Sequence, residues 1–216
     1  MRGKRGFTLI ELLIVIAIIA ILALIAIPNF LEAQIRSKLS RARADMRSIA
    51  TAITAYTVDN NRAPIGFAEG DGAPLNLWTK ATYDWAYNAL TTPIAYMTSV
   101  PNDPFVDRQT YLDGSGNPKT HQKFEYQCYE WDLACLRKGA PFPTGYSAPR
   151  AKCAYNGYPW YIRTPGPGRQ ALPGTTLWDI VGPSKDVNHL YDPSNGTMSL
   201  GMVYRTPRGE ITGTGL

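Results

Sequence analysis

The chain has 216 residues, 44% of them apolar, and 22 Lys and Arg against 17 Asp and Glu give it a formal charge of +5. The excess is confined to the N-terminal part: Arg2, Lys4 and Arg5 stand in the first six residues, residues 29–58 hold five cations against Glu32 and Asp45, and from residue 59 onward there are 14 charges of each sign. A basic chain ordinarily points to nucleic acid or an anionic surface, but a C-terminal region with balanced charge has no such footprint, and nucleic acid is excluded as an expected partner.

The first element sets where the chain lives. Between residues 7 and 27 only Thr8 and Glu11 are polar. A helix of that length, at about 1.5 Å per residue, reaches about 30 Å, the thickness of a bilayer's hydrocarbon core. No polar stripe recurs every third or fourth position from Leu12 to Ile27, which argues against a water-facing amphipathic helix. A secretory signal peptide is the competing reading and fits less well. The run is longer than a usual apolar signal region, it contains Glu11, and no small-x-small cleavage site leads into a polar mature start. The basic leader places the N-terminus in the cytoplasm and everything after the span outside.

Glu11 is the anomaly. An unpaired charge in lipid costs at least about 2.5 kcal/mol, and no Lys or Arg lies between Phe7 and Gln34. A cut after Gly6 would leave Phe7 with a free α-amine four residues from Glu11. In a lateral stack of such helices, that amine in one copy meets the carboxylate of the next.

The stretch Gly6-Phe7-Thr8-Leu9-Ile10-Glu11-Leu12-Leu13-Ile14-Val15 resembles the processing site of type IV pilins and type II secretion pseudopilins. The resemblance implies a prepilin peptidase that cuts after Gly6 and methylates Phe7, Glu11 as the assembly carboxylate, and Pro28 as the helix-kinking proline. It covers the first quarter of the chain closely and the remainder loosely. The partners it implies are other copies of the chain in a filament, the prepilin peptidase, an inner-membrane assembly platform and minor pseudopilins.

Beyond Pro28 the periodicity changes. Ile35, Leu39, Ala42, Met46, Ile49, Ile53 and Tyr56 recur at steps of four and three, a heptad-like stripe. Arg36, Lys38, Arg41, Arg43 and Arg47 fall off it. Pro28 removes one backbone donor and kinks a helix without ending it, so one helix of about fifty residues is expected, half in lipid and half amphipathic, stopped by Asp59-Asn60-Asn61 and Pro64.

From residue 62 onward come sixteen of the seventeen prolines and most of the aromatics. Aromatics at this density indicate packed, loop-rich structure and not disorder. Residues 83–90 read as a short helix. Three stretches read as strands: Phe124, Tyr126 and Cys128 alternating with Glu125, Gln127 and Tyr129, then residues 158–163 closed by Pro165-Gly166-Pro167-Gly168, then residues 197–205 with Met198, Leu200, Met202 and Tyr204 on one face. The expected fold is α+β, a long N-terminal helix on a small antiparallel sheet with long loops. The expected divisions are a leader at 1–6, a membrane and assembly helix at 7–28, an amphipathic helix at 29–60 and a globular head at 61–216. This layout is similar to the major pseudopilin, and Pro101-Asn102-Asp103-Pro104-Phe105 resembles that family's Pro-x-Asp-Pro-aromatic turn.

Other chemistry is sparse. Major pseudopilins that this chain resembles hold calcium in a C-terminal loop, and Asp179, Asp186 and Asp192, with Asn188 and Asn195, are the oxygen donors available; Pro167 stands where the family's turn often carries Asp. Cys128, Cys135 and Cys153 allow at most one disulfide within a chain, or three reduced thiols. His121 and His189 lack a Cys-x-x-Cys companion for zinc. Gly145-Tyr146-Ser147-Ala148-Pro149 misses the nucleophile elbow at its last position and reads as a turn or loop. Glu125, Glu130 and Asp132 read as solvated.

The expected function is a structural subunit of a secretion pseudopilus, not an enzyme, with a type IV pilus subunit as the alternative and a signal-anchored extracytoplasmic enzyme as the lesser one. Replacing Gly6 by a bulky residue is expected to leave the leader attached. Intact mass of the chain recovered from host membranes checks this, because retention adds the first six residues.

Overall fold

The computed structural model describes residues 7–64, 82–106, 109–112, 118–121, 123–130, 148–168, 177–183, 190–192 and 201–211. Gly6, Cys135, Asp186, Asn188, His189 and Asn195 therefore lie outside the described residues, as do residues 197–200 of the third expected strand. Two compact units divide the chain, Met1–Ser37 and Lys38–Leu216.

Helix α1, Leu9–Asn60, runs without a break through Pro28. In the second unit its buried residues are Leu39, Ala42, Met46, Ile49, Ala50, Ala52 and Ile53. Those are the middle of the expected stripe, widened by Ala50 and Ala52, while its two ends, Ile35 and Tyr56, are half-buried. Lys38, Arg41 and Arg47 face solvent as expected. Arg43 departs from the expectation. Position 43 is four after Leu39 and three before Met46, on the margin of the stripe. Its Nε lies 2.8 Å from Glu210 Oε1 and its guanidinium 5.9 Å from the Tyr191 ring centre.

The helix stops where the polar run predicts. Asn61 takes φ 55°, the left-handed conformation that closes helices and that Asn tolerates. The chain beyond is then tied down twice: the Ala63 N–H donates to Glu130 at 3.1 Å, and the Tyr126 hydroxyl donates to the Pro64 carbonyl at 2.8 Å. Glu130, expected to be solvated, is half-buried.

After α2 (Thr82–Thr91) comes a hairpin of β1 (Gln109–Leu112) and β2 (Pro118–His121). The main sheet is built from β3 (Glu125–Cys128), β4 (Trp160–Thr164), β5 (Val203–Thr206) and β6 (Gly209–Ile211), antiparallel in the order β3-β4-β5-β6. Helix α3 (Ala148–Tyr155) precedes β4, and α4 (Leu177–Val181) lies between β4 and β5. The expected α+β fold is present, but the main sheet has four strands in place of three and the β1–β2 pair is unexpected. The added β6 is a three-residue strand, too short to show alternation, and only the turn at Pro207-Arg208-Gly209 marks it. There the Thr206 hydroxyl donates to the Gly209 carbonyl at 2.9 Å.

The larger correction concerns the second face of the sheet. On one face Phe124, Tyr126, Cys128, Trp160, Ile162 and Val203 pack with the α1 stripe and with Ala86, Tyr87 and Leu90 of α2. On the other, Tyr129, Tyr161, Tyr204 and Ile211 form a second cluster with Cys153 and Ala154 of α3 and Leu177 and Ile180 of α4. Tyr129, expected on the solvent side, is 1% exposed. A tyrosine supplies a large apolar body with one polar tip, and here three of them meet ring against ring, at 5.7 Å between Tyr129 and Tyr161 and 5.4 Å between Tyr161 and Tyr204. Beside them Glu125, also expected to be solvated, takes Arg163 at 2.6 Å across the β3–β4 pair. The stretch read as a turn at 145–149 is helical from Ala148, with Pro149 in the first turn, where its missing N–H costs nothing. Gly201 lets the backbones of residues 190–191 and 202 meet: a Cβ there would lie 2.0 Å from the Leu190 carbonyl, and the Tyr191 N–H donates to the Met202 carbonyl at 2.9 Å.

Asp103, in the Pro-Asn-Asp-Pro-Phe turn, is 3% exposed. Its Oδ1 accepts the Phe105 N–H at 2.8 Å, while its Oδ2 is buried without a hydrogen-bond partner. Burial pushes its carboxyl up to about 6 from 3.8, opposed by hydrogen bonds from Thr164, Phe105 and Val106 and aided by the charge of Asp45 on α1. The folded state therefore holds this proton more tightly than the unfolded chain does. The resulting stabilisation is complete below 3.8 and is lost as pH rises through about 6. Chemical denaturation of the detergent-extracted chain, followed by Trp fluorescence, is expected to show stability falling between pH 4 and pH 7 by on the order of 3 kcal/mol. Asp103→Asn, which keeps the acceptor for Phe105, should remove most of that slope.

Candidate functional site

The sequence singles out the N-terminal turn of α1, and the structure shows how it is closed. Leu9 is the first helical residue, which makes Thr8 the cap and Glu11 the third helical position. One Glu11 carboxylate oxygen, Oε2, accepts both the Thr8 N–H and the Thr8 hydroxyl, each at 2.8 Å. In return the Glu11 N–H donates to Thr8 Oγ1 at 3.3 Å, and the Leu12 N–H donates to the Thr8 carbonyl at 3.2 Å. This is a capping box, in which a Thr and a Glu three residues on satisfy each other's backbone donors. The carboxylate also sits at the positive end of the helix dipole.

The sequence carried that signal, as Thr-x-x-Glu directly before an apolar run, and the reading of Glu11 for its charge alone passed over it. Two consequences follow for the chemistry. A cut between Gly6 and Phe7 touches neither the Thr8 N–H nor its hydroxyl, so the cap survives processing. Thr8 supplies hydrogen bonds but no positive charge, and it engages Oε2 alone, so Oε1 is available to a cation.

The surface around this cap is apolar and bare. Among residues 7–38 none is buried, and Phe7, Leu9, Ile10 and Leu24 are 73%, 86%, 68% and 77% exposed. Exposed apolar patches larger than a few hundred Å² mark lipid or partner surfaces, and here the patch surrounds α1 on every side as far as Leu31. Among the described residues α1 is the one helix long and apolar enough to cross a membrane. Pro28 has no N–H to offer the Leu24 carbonyl, yet the helix passes through it.

The remaining expected residues are scattered. Cys128 lies in the cluster on the α1 side of the sheet and Cys153 in the cluster on the other side, both buried. Asp179 falls in α4, and Asp192 is half-buried just after Leu190. Among the described residues no group of three or more His, Cys, Asp or Glu gathers for a metal.

Residues 1–27 match the family model described as the prokaryotic N-terminal methylation motif. The chain is 49% identical over 73 residues to the type IV major pilin protein of Myxococcus xanthus, which covers 32% of this chain and 33% of the pilin. It is 32% identical over 104 residues to the type II secretion system core protein G of Aeromonas hydrophila, covering 48% of this chain and 69% of that protein. It is 43% identical over 82 residues to the type IV wide pilus major component of Thermus thermophilus, covering 38% and 60%. The chain thus spans from about a third to about two thirds of the length of these relatives. No solved structure matches it.

Thr8→Val, which keeps the shape and removes the hydroxyl, is expected to loosen the first turn by about 1 kcal/mol. Hydrogen exchange in detergent micelles checks it: amides at residues 9–12 should exchange several-fold faster, with those beyond Ile16 unchanged.

Proposed function

The chain belongs to the pilin and pseudopilin family that includes the type II secretion core protein G, and from that premise we propose that it is the structural subunit of a type II secretion pseudopilus. It is made with the leader, cut after Gly6 and N-methylated at Phe7. It waits in the inner membrane with its N-terminus in the cytoplasm and its head in the periplasm. It is then drawn into a helical filament of its own copies that drives protein secretion. Its other partners are the prepilin peptidase, the inner-membrane assembly platform and the minor pseudopilins.

The observation that carries this reading is the bare apolar helix with a single carboxylate at its capped end. Lipid covers the helix but offers Glu11 no cation. A neighbouring copy covers the same surface and brings its Phe7 amine to the carboxylate, so the charge that is costly in the membrane favours leaving it for the filament. A type IV pilus subunit is the second reading, favoured by the 49% identity to the Myxococcus pilin, whose matched region is only 73 residues long.

Two measurements test the proposal. N-terminal sequencing and intact mass of the chain from its own host should show a start at methylated Phe7; a start at Met1 in cells with active prepilin peptidase would overturn it. Glu11→Gln keeps an acceptor for the cap and removes the charge, whereas Glu11→Ala removes both. Both variants should insert normally and lose at least tenfold in sheared filaments; normal assembly of Glu11→Gln would transfer the role of Glu11 from charge pairing to capping.

A further inference from the structure

Between α1 and the end of the sheet runs a groove of about 390 Å³. Its walls are mostly apolar, from Ala50, Ala55 and Val58 on the helix and Trp160 and Pro207 on the sheet side, and Arg205 stands among them. Val58 is 74% exposed, so the groove opens to the surface.

Arg205 has no ion-pair partner among the described residues, unlike Arg43 and Arg163. It stands opposite Glu210 across the β5–β6 pair, but that carboxylate is ion-paired with Arg43 at 2.8 Å. The Nε of Arg205 is buried and has no hydrogen-bond partner. A buried guanidinium donor without an acceptor is costly, and an apolar groove beside it fits an occupant that carries both apolar side chains and a carboxylate.

We propose that this groove receives α1 of a second copy, at the end of its apolar run, with Glu32 of that copy on Arg205. The inference rests on the filament reading above and names its contact. The N-terminal stretch of α1, residues 7–37, contains two carboxylates, Glu11 inside the apolar run and Glu32 just beyond it. Only Glu32 lies outside the lipid-spanning length. At helical spacing Ile25 and Pro28 share its face, seven and four residues back, and Ile25 is 60% exposed. The side that enters the groove is therefore apolar and ends in an anion, matching apolar walls that end in a cation. In the lone chain Glu32 is paired with Arg36 one turn on, with both side chains substantially exposed; such a surface pair is cheap to exchange, and a bidentate guanidinium contact in a groove is stronger.

The test uses full-length chain produced in its host, with sheared filaments quantified beside N-terminal processing and the unfolding midpoint of the extracted protein. Arg205→Glu and Glu32→Arg are each expected to lower filament yield at least tenfold with processing at Phe7 intact, and the double variant to recover at least half of the wild-type yield. Ala55→Trp, which fills the groove without touching a charge, should lower yield similarly and keeps the test decisive if Arg205→Glu misfolds. Wild-type yield from Arg205→Glu and Ala55→Trp, or no recovery in a folded and processed double variant, overturns the docking and leaves the filament reading standing. Absence of filaments from processed wild-type chain overturns the filament reading and the docking with it.

Discussion

Everything in this chain follows from one mismatch: α1 is 52 residues long, and none of its first thirty residues is buried. A soluble protein buries its large aliphatic side chains on folding, at roughly 25 cal/mol for each Å² removed from water. Here Leu, Ile and Phe side chains from position 7 to 31 keep half or more of their surface. That surface must be removed from water by something outside the chain. Lipid and a bundle of identical helices are the two environments that accept a helix apolar on every face, and on the proposed reading Glu11 distinguishes between them, because a processed neighbour would bring a cation and lipid would not.

The rest of the structure is arranged so that the same helix also serves as a conventional core element. From Leu39 to Ile53 the residues at four- and three-residue steps are buried, and the last of the largely exposed apolar run is Leu31. The head is correspondingly self-sufficient. Its sheet is covered on both faces, its polar groups are answered mostly from within, and its chain exit after α1 is held by Glu130 and Tyr126. Among the described residues Arg205 and Asp103 are two of the five places where a buried side-chain atom has no hydrogen-bond partner.

What was legible in the sequence was whatever depends on a long or repeated pattern. The apolar run, the stripe at Leu39, Ala42, Met46, Ile49 and Ile53, the end of α1 at Asn61, helix α2 and the inward side of Phe124, Tyr126 and Cys128 all rest on periodicity or on strong local stops. What was missed rests on few residues or on ambiguous ones. Strand β6 has three residues, and its pairing with β5 is a long-range fact that no local pattern encodes. Tyr129 reads as a polar alternate in a strand and Tyr161 shows no side at all, yet both, with Tyr204, are at most 1% exposed beneath α3 and α4. The capping box was visible in four letters and was obscured by a second, more conspicuous meaning of the same glutamate.

The shape of the sheet has a consequence for how such a chain avoids sticking to itself in the wrong way. Copies of a chain that exposes so long an apolar helix are drawn towards one another. An open sheet edge is a template for strand-by-strand growth. The two outer strands of this sheet are four and three residues long, and the shorter one begins at a glycine just after Pro207 and Arg208. Edges this short offer too few backbone hydrogen bonds to hold a second chain, and the faces are already occupied. Among the described residues the broad exposed apolar surface is helical, residues 9–31 of α1, so apolar attraction between copies acts there through side chains and not through a sheet edge.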